Sequence, residues 1–401
     1  MEPAPYLTLG SRPYRAASVA LFLAGFGTFA VLYSVQPLMP RLSAEFGVSP
    51  TESSLSLSYA SATLAVSMLA VSAVSERLQR KRLMAISLFA VAILTLAVAA
   101  APSWGTLLAL RAVTGIVLSG VPAVAMAYLA EEIEREGLPR AVGLYIGGTA
   151  MGGLTGRLLT ALVVDLTDSW RLAIAALGVV CLCGAVGFVR LLPPSRHFTP
   201  ITEGSIARPL ARLAQHLADP LLRRLFLTGF LLMGSLVTVY NYIAYRLVAP
   251  PFRLGETWIG AIFLVYLVSM PASTAFGTWA ARWGRTRVLG GGMVLMLAGV
   301  ALTLADHLAV IVVGMLAFTG AFFGSHAIAN TWIATHAKVG RVQASGLYLF
   351  FYYLGSSIFG SGAGQLWSAH GWPGVATLVM CLLTVNLAVI AWPRRGAPNG
   401  H

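Results

Sequence analysis

The octapeptide Ser75-Glu76-Arg77-Leu78-Gln79-Arg80-Lys81-Arg82 packs four cations into eight residues, yet apolar runs flank it on both sides, over about 52–75 and 83–101. Each run is close to the ~20 residues that a helix needs to cross a hydrocarbon core. The charged stretch therefore reads as a turn on one face of a membrane. Roughly 205 residues later Gly277-Thr278-Trp279-Ala280-Ala281-Arg282-Trp283-Gly284-Arg285-Thr286-Arg287 repeats the arrangement, again between apolar runs. Two basic turns, each joining the second and third apolar runs of its half, point to a duplicated membrane protein.

Composition agrees. The 401 residues are 57% hydrophobic and only 10% charged, with mean hydropathy +0.79, whereas soluble chains carry about 25% charged residues. The net charge of +13 would ordinarily suggest nucleic acid, but its distribution argues against that. Of 27 Lys and Arg, only Arg41, Arg171 and Arg253 fall in expected external segments, and only Arg111, Arg157 and Arg246 inside spans. The remainder flank spans on one side, the positive-inside pattern, which places both termini in the cytoplasm. Cys181, Cys183 and Cys381 lie in apolar runs and suit neither a disulfide nor a metal site.

Twelve spans are expected, at about 15–40, 52–75, 83–101, 104–130, 140–164, 170–193, 224–249, 256–280, 287–305, 308–336, 342–368 and 372–393. All must be helical, because lipid cannot satisfy free backbone groups. The Pro- and Arg-containing stretch 194–222 reads as a cytoplasmic linker between an N-terminal half, 1–193, and a C-terminal half, 223–401; within it, 207–217 has the pattern of a short amphipathic helix. The halves repeat: Tyr33-Ser34 answers to Tyr240-Asn241, Tyr59 to Tyr266, Thr114-Gly115 to Thr319-Gly320, and Gly143-Leu144-Tyr145 to Gly346-Leu347-Tyr348.

The first basic turn resembles the signature loop of the major facilitator superfamily, Gly-x-Leu-Ala-Asp-Arg-x-Gly-Arg-Lys/Arg. Ser72 stands for the first Gly, Glu76 for the Asp, Arg77 for the Arg, Gln79 for the second Gly, and Arg80 and Lys81 for the basic pair. In the second copy Gly277, Arg282, Gly284 and Arg285 match, with Ala281 in place of the acid. The resemblance implies an all-α integral membrane fold of twelve transmembrane helices in two six-helix pseudo-symmetric halves, with substrate held between them near the midplane. It also implies a gating latch built from Glu76, Arg77, Arg80, Lys81, Gly277, Arg282 and Arg285; a topology anchor is the simpler reading of the same charges.

Span 4 carries Arg111 three residues before Thr114-Gly115, similar to a family motif of Arg, Gln and Gly whose Arg is implicated in proton transfer. A cation at that depth must be paired, hydrated or snorkelled to the surface. Span 5 carries Gly143-x8-Gly152-x3-Gly156, resembling the antiporter motif of the family, but Arg157 takes the place of its Pro. These glycines are expected at helix-packing contacts, between spans 5 and 8 or simply as small-residue packing. Arg111 and Arg157 are expected at similar depth with no acid in any span core, which suggests anionic substrate or heavy hydration.

The resemblance assigns spans 1, 4, 7 and 10 to the cavity wall. Tyr33 and Gln36 in span 1, and Tyr240, Asn241 and Tyr245 in span 7, are then candidates for substrate contact, rings for area and amides for orientation; Tyr245 also suits an interfacial aromatic. His326 in span 10 can carry a proton near neutral pH or bond a neighbouring helix. Arg111, Arg157 and His326 are the candidates for coupling or anion contact.

The function implied is secondary transport across the bacterial inner membrane, as proton-coupled efflux of small organic molecules by alternating access, or else as a carrier of small organic anions through Arg111 and Arg157. The expected partners are a small-molecule substrate, protons and the lipid bilayer, not nucleic acid; no cofactor or metal is expected, and the chain is expected to act as a monomer. An enzyme would need clustered His, Asp or Glu in the spans, a sensor a soluble domain, and a channel a filter-like loop; none is visible in the sequence.

Overall fold

The computed structural model describes residues 6–74, 79–198, 207–337 and 339–391. Helices account for nearly all of it, and among the described residues eleven are long and apolar enough to cross a membrane. The last of these, α15 (Arg341–Ala391), contains two spans, because Gly371 breaks it with φ 61° and ψ −148°. That makes twelve spans, as the hydropathy runs imply.

Local sequence accounts for the helix ends. The first helix, α1 (Arg12–Tyr33), is capped by Ser11 Oγ on the Tyr14 amide, with Pro13 in its first turn. A short α2 (Met39–Phe46) follows. Ahead of α3 (Pro50–Val74), Ser49 and Glu52 form a capping box: the Ser49 amide donates to Glu52 Oε2 at 2.8 Å and the Glu52 amide to Ser49 Oγ at 3.2 Å, satisfying two otherwise orphan donors. Next come α4 (Arg80–Ala99), α5 (Trp104–Leu118) and α6 (Pro122–Glu132). The fourth span is thus two helices, α5 and α6, divided just before Pro122, which has no amide to offer the ladder. The fifth and sixth spans are α7 (Leu138–Thr167) and α8 (Trp170–Leu191).

Between the two sets of six spans, α9 (Ala207–Ala218) occupies the expected place of the amphipathic helix. It packs on α10 (Pro220–Val248) and on α15, with His216 Nε2 3.0 Å from the Gly340 carbonyl. The eighth span is composite: α11 (Glu256–Ala261), a 3-10 stretch (Ile262–Val268) and α12 (Ser269–Trp283). The helices α13 (Arg285–Leu302) and α14 (Leu308–His336) precede α15. The end of the bundle holding Arg12, α9 and Ala391 is called the linker end, the other the distal end.

Two glycine seams mirror each other. Cβ atoms at Gly148, Gly152 and Gly156 of α7 would stand 2.3, 2.1 and 2.4 Å from carbonyls of Phe22, Phe26 and Ala30 on α1. In the second set a Cβ at Gly355 of α15 would stand 2.0 Å from the Phe230 carbonyl on α10. Spans 1 and 5, and likewise 7 and 11, therefore lie backbone against backbone, an approach only small residues permit. Gly152 and Gly156 thus pack on span 1 rather than span 8, while a Cβ at Gly143 would meet nothing within 4 Å. Span 8 does reach span 5, but through Gly260, whose Cβ would stand 2.5 Å from that of Ala161.

Candidate functional site

The first span is shorter than its apolar run. It ends at Tyr33, and residues 34–38 form a turn before α2. Pro37 and Pro40 explain the stop, since neither can donate to a continuing helix. The turn carries Gln36 into the seam between the two sets of spans. Thr160 Oγ1 of α7 holds it by donating to the Ser34 carbonyl at 3.0 Å.

Gln36 is fully buried, and both ends of its amide are used. Its Oε1 accepts from Arg157 Nε at 2.7 Å, and its Nε2 donates to Asn241 Oδ1 at 2.9 Å. Asn241 Nδ2 continues to the Gly360 carbonyl at 3.2 Å. A polar relay thus crosses from α7 through the 34–38 turn to α10 and α15. Further bonds between the sets lie from the midplane toward the distal end: Ser61 with Ser357 at 2.8 Å, Tyr242 Oη to Ser54 Oγ at 3.3 Å, Tyr245 Oη to the Met39 carbonyl at 3.0 Å, and Thr257 Oγ1 to Asp165 Oδ2 at 2.8 Å. The distal side is sealed by these contacts.

Arg157 lies beneath that seal, only 2% exposed. Its NH1 donates to the Gly153 carbonyl at 2.7 Å, one turn back, and its NH2 reaches Tyr266 Oη at 3.5 Å. Three rings enclose the guanidinium: Tyr33 at 4.4 Å, Tyr266 at 4.7 Å and Phe263 at 4.9 Å from ring centroids. Among the described residues no carboxylate comes within ion-pair distance of it. A guanidinium has five N–H donors, and these contacts use three. What stands here is a buried cation, held by neutral groups, with donors in reserve.

The aromatic wall continues from Arg157. Tyr266 meets Tyr240 at 4.9 Å and Phe323 at 5.4 Å; Phe323 meets Phe322 at 5.1 Å; Phe322 lies 6.0 Å from His326 and 6.3 Å from Tyr352. Half-buried His326 places Nδ1 2.8 Å from Tyr348 Oη and its ring 4.8 Å from Tyr352. Arg157 and His326 therefore stand at two ends of one ring-to-ring chain built from spans 5, 8, 10 and 11.

Of the residues singled out from sequence, Tyr33, Gln36, Tyr240, Asn241 and Arg157 come together. Tyr240 is the rear wall, its hydroxyl on Thr319 Oγ1 at 2.7 Å. Tyr245 sits apart, in the distal seal, between Ser43, Met39 and Trp367. Arg111 takes other partners: it donates to the carbonyls of Ser56 at 2.8 Å, Val31 at 3.1 Å and Leu32 at 2.8 Å. Tyr266, Phe263, Phe323 and Tyr352 also line this wall, outside the residues that the sequence motifs single out. Tyr266 had a signal in its match to Tyr59, yet Tyr59 itself is 44% exposed.

At the linker end, Glu76 and Arg77 lie outside the described residues. Arg80 pairs with Glu131 of α6 through two bonds, Nε–Oε2 at 3.3 Å and NH2–Oε1 at 2.9 Å, and lies over the Phe198 ring. Lys81 Nζ bonds the Leu192 carbonyl. These contacts tie span 3 to spans 4 and 6, within the first set. In the second copy Arg285 donates to Thr335 Oγ1 at 2.9 Å, and a Cβ at Gly277 would meet nothing within 4 Å.

Twelve spans, mirrored seams and a site between two sets of six agree with one further observation: the sequence pattern of the Major Facilitator Superfamily matches residues 21–255. This chain belongs to the major facilitator superfamily. It is 44% identical over 382 residues to the MFS-type transporter YybF of Bacillus subtilis, covering 95% of this chain and 94% of that one. It is 41% identical over 396 residues to the inner membrane transport protein YnfM of Escherichia coli, covering 97% and 93%. The fold also matches that of the nucleoside transporter NupG, with TM-score 0.76 at 14% identity over 93% of this chain and 98% of that one. The chain is thus a multi-pass membrane transporter of the superfamily.

Proposed function

We propose that this superfamily transporter carries small organic anions by alternating access, binding them at Arg157 between Tyr33, Tyr266 and Phe263. The observation that carries the reading is a buried guanidinium with spare donors and no carboxylate partner. A cation in a low-dielectric site is costly unless paired, and an anionic ligand supplies the missing charge. A carboxylate or phosphate matches the planar donors of Arg in a bidentate way. Rings around it contribute area and cation–π attraction.

Binding and gating share one residue. An anion drawn to Arg157 competes with Gln36 Oε1, and so with the relay that reaches Asn241. Occupancy weakens the distal seal, and a ligand shifts the conformational balance only through such a difference in affinity between states. Arg111 holds α1, α3 and α5 in register. The linker end faces the cytoplasm of a bacterial inner membrane, both termini lie there, and the protein works as a monomer; the excess of Lys and Arg at that end supports this orientation.

A second reading is proton-coupled efflux of neutral or amphiphilic molecules, and His326 favours it. Its imidazole is joined to the Arg157 box by stacked rings, where a gained proton would repel a bound cation or release a neutral ligand.

The test is ligand-dependent melting of the detergent-purified protein against small organic anions, lipophilic cations and neutral amphiphiles, for wild type, Arg157→Ala and His326→Ala. A ligand that binds the folded state raises the melting temperature. Stabilisation by anions that disappears in Arg157→Ala is expected. Stabilisation by cations or neutral compounds that survives Arg157→Ala overturns the anion reading. In proteoliposomes, transport indifferent to an imposed pH gradient rules out proton coupling.

A further inference from the structure

A groove of about 440 Å³ opens between α12 and α13 near the linker end, lined by Phe276, Trp279, Trp283, Arg287, Gly291 and Leu295 among others. It belongs to the outer surface of the bundle, away from Arg157. Trp279, Trp283 and Leu295 are 40%, 59% and 42% exposed. Their neighbour Val294 is also exposed, so this face meets lipid. Phe276, Trp279 and Trp283 form one wall, with ring centroids 5.3 and 6.1 Å apart in succession. The other wall is bare, because a Cβ at Gly291 would meet nothing within 4 Å.

The mouth is basic. Arg287 lines it and Arg282 stands in the last turn of α12 beside it, and among the described residues neither has an ion-pair or hydrogen-bond partner. Ala281 occupies the place where the family signature has its acid, so the second copy supplies no carboxylate at that position. Deeper in, below Gly292, Ser325 Oγ is fully buried and has no hydrogen-bond partner among the described residues. From Arg287 to Leu295 the groove follows nine residues of α13, about 12 Å of helix. A charged mouth, an indole rim and an apolar trough match the parts of a phospholipid in order.

We propose that this groove is a binding site for an anionic phospholipid, its phosphate on Arg287 and Arg282 and the first part of one acyl chain between the Trp279–Trp283 wall and Gly291. The paired indoles suit the headgroup level, where amphipathic rings settle. Basic residues at a membrane surface attract anionic lipid, and the trough adds a shape that a diffuse basic surface lacks.

The probe is phosphatidylglycerol with brominated acyl chains, titrated into the full-length protein in neutral detergent while tryptophan fluorescence is read. Phosphatidylcholine with the same chains is the control. Saturable quenching at lower mole fraction of phosphatidylglycerol is expected, and it should shrink in Trp279→Phe. Arg287→Gln should weaken the half-saturation by about fivefold, the change that one basic residue contributes near an anionic surface. Gly291→Leu puts a side chain into the trough from a Cβ position that meets nothing within 4 Å, and it should abolish the phosphatidylglycerol preference, with melting in phosphatidylcholine unchanged. Equal quenching by both lipids overturns the proposal. So does quenching that persists in Gly291→Leu and Arg287→Gln alike, or full displacement by soluble glycerol phosphate, which would mark a phosphate site without a lipid.

Discussion

Gln36 and Asn241, 205 positions apart, meet side chain to side chain at 2.9 Å, and Gln36 is at the same time the acceptor for Arg157 Nε. Replacing Gln36 with Leu leaves a buried guanidinium and a buried amide each short of a partner. Loss of a hydrogen bond to a charged group costs about 1.5–3 kcal/mol. Gln36→Leu should therefore melt lower than wild type and loosen the distal seal. In a Ser43→Cys background, maleimide labelling should be faster with Leu at position 36 than with Gln; equal rates would show that the pair does not hold that side shut.

Arg111→Lys separates support from binding. Arg111 spreads its donors over three carbonyls from two helices, and a lysine ammonium is a single point that cannot reproduce the fork. A stability loss on the order of 3 kcal/mol is expected, seen as a lower melting temperature. Stabilisation by an anionic ligand should persist in this variant and vanish in Arg157→Ala. If Arg111→Lys abolishes ligand stabilisation while its melting temperature holds, Arg111 touches the substrate.

The span 5 glycines should respond unequally to alanine. A Cβ at Gly152 would stand 2.1 Å from the Phe26 carbonyl, so α7 must leave α1 to admit it. Gly152→Ala should fail to yield monodisperse protein on size exclusion. Gly143→Ala meets open space and removes a helix-interior glycine, a gain of up to about 1 kcal/mol. Equal yields of folded protein from both variants would refute the seam.

Asp219 predicts an acid limb in stability. It caps α10, with Oδ1 accepting from the Leu221 and Leu222 amides at 2.8 and 3.0 Å and Oδ2 3.0 Å from His336 Nε2. Burial by itself raises the carboxyl, but the Leu222 amide, the His336 ring and the Leu221 amide together hold it below its ordinary value of 3.8. A depressed folded pKa stabilises above the unfolded value, and that stability is lost as pH falls through the folded one. Asp219→Ala should cost about 1 kcal/mol at neutral pH. Its melting deficit relative to wild type should narrow below pH ~4; a gap constant with pH would mean that the charge plays no part.

Much of this architecture could be read along the chain. Spans, the pseudo-repeat and the uncompensated cations Arg111 and Arg157 followed from run length and charge placement. The site was only partly legible. Gln36 read as a span residue, whereas it sits in the 34–38 turn, and that break is what lets it face both Arg157 and Asn241. Phe263 and Tyr266 lie on the 3-10 stretch of span 8, whose three-residue turn rotates side chains away from the register an α-helix would predict.

Crossing lipid is a local demand, met by about 20 apolar residues at a time, so the sequence alone was enough to set how many spans there are and where positive charge flanks them. Which partner each buried cation takes is not local. Arg111 reaches backbone carbonyls of α1 and α3, and Arg157 reaches Gln36 and three rings from two sets of spans. Those choices depend on the rotation of each helix about its axis and on how closely glycine lets two backbones approach. Only the packed bundle supplies both.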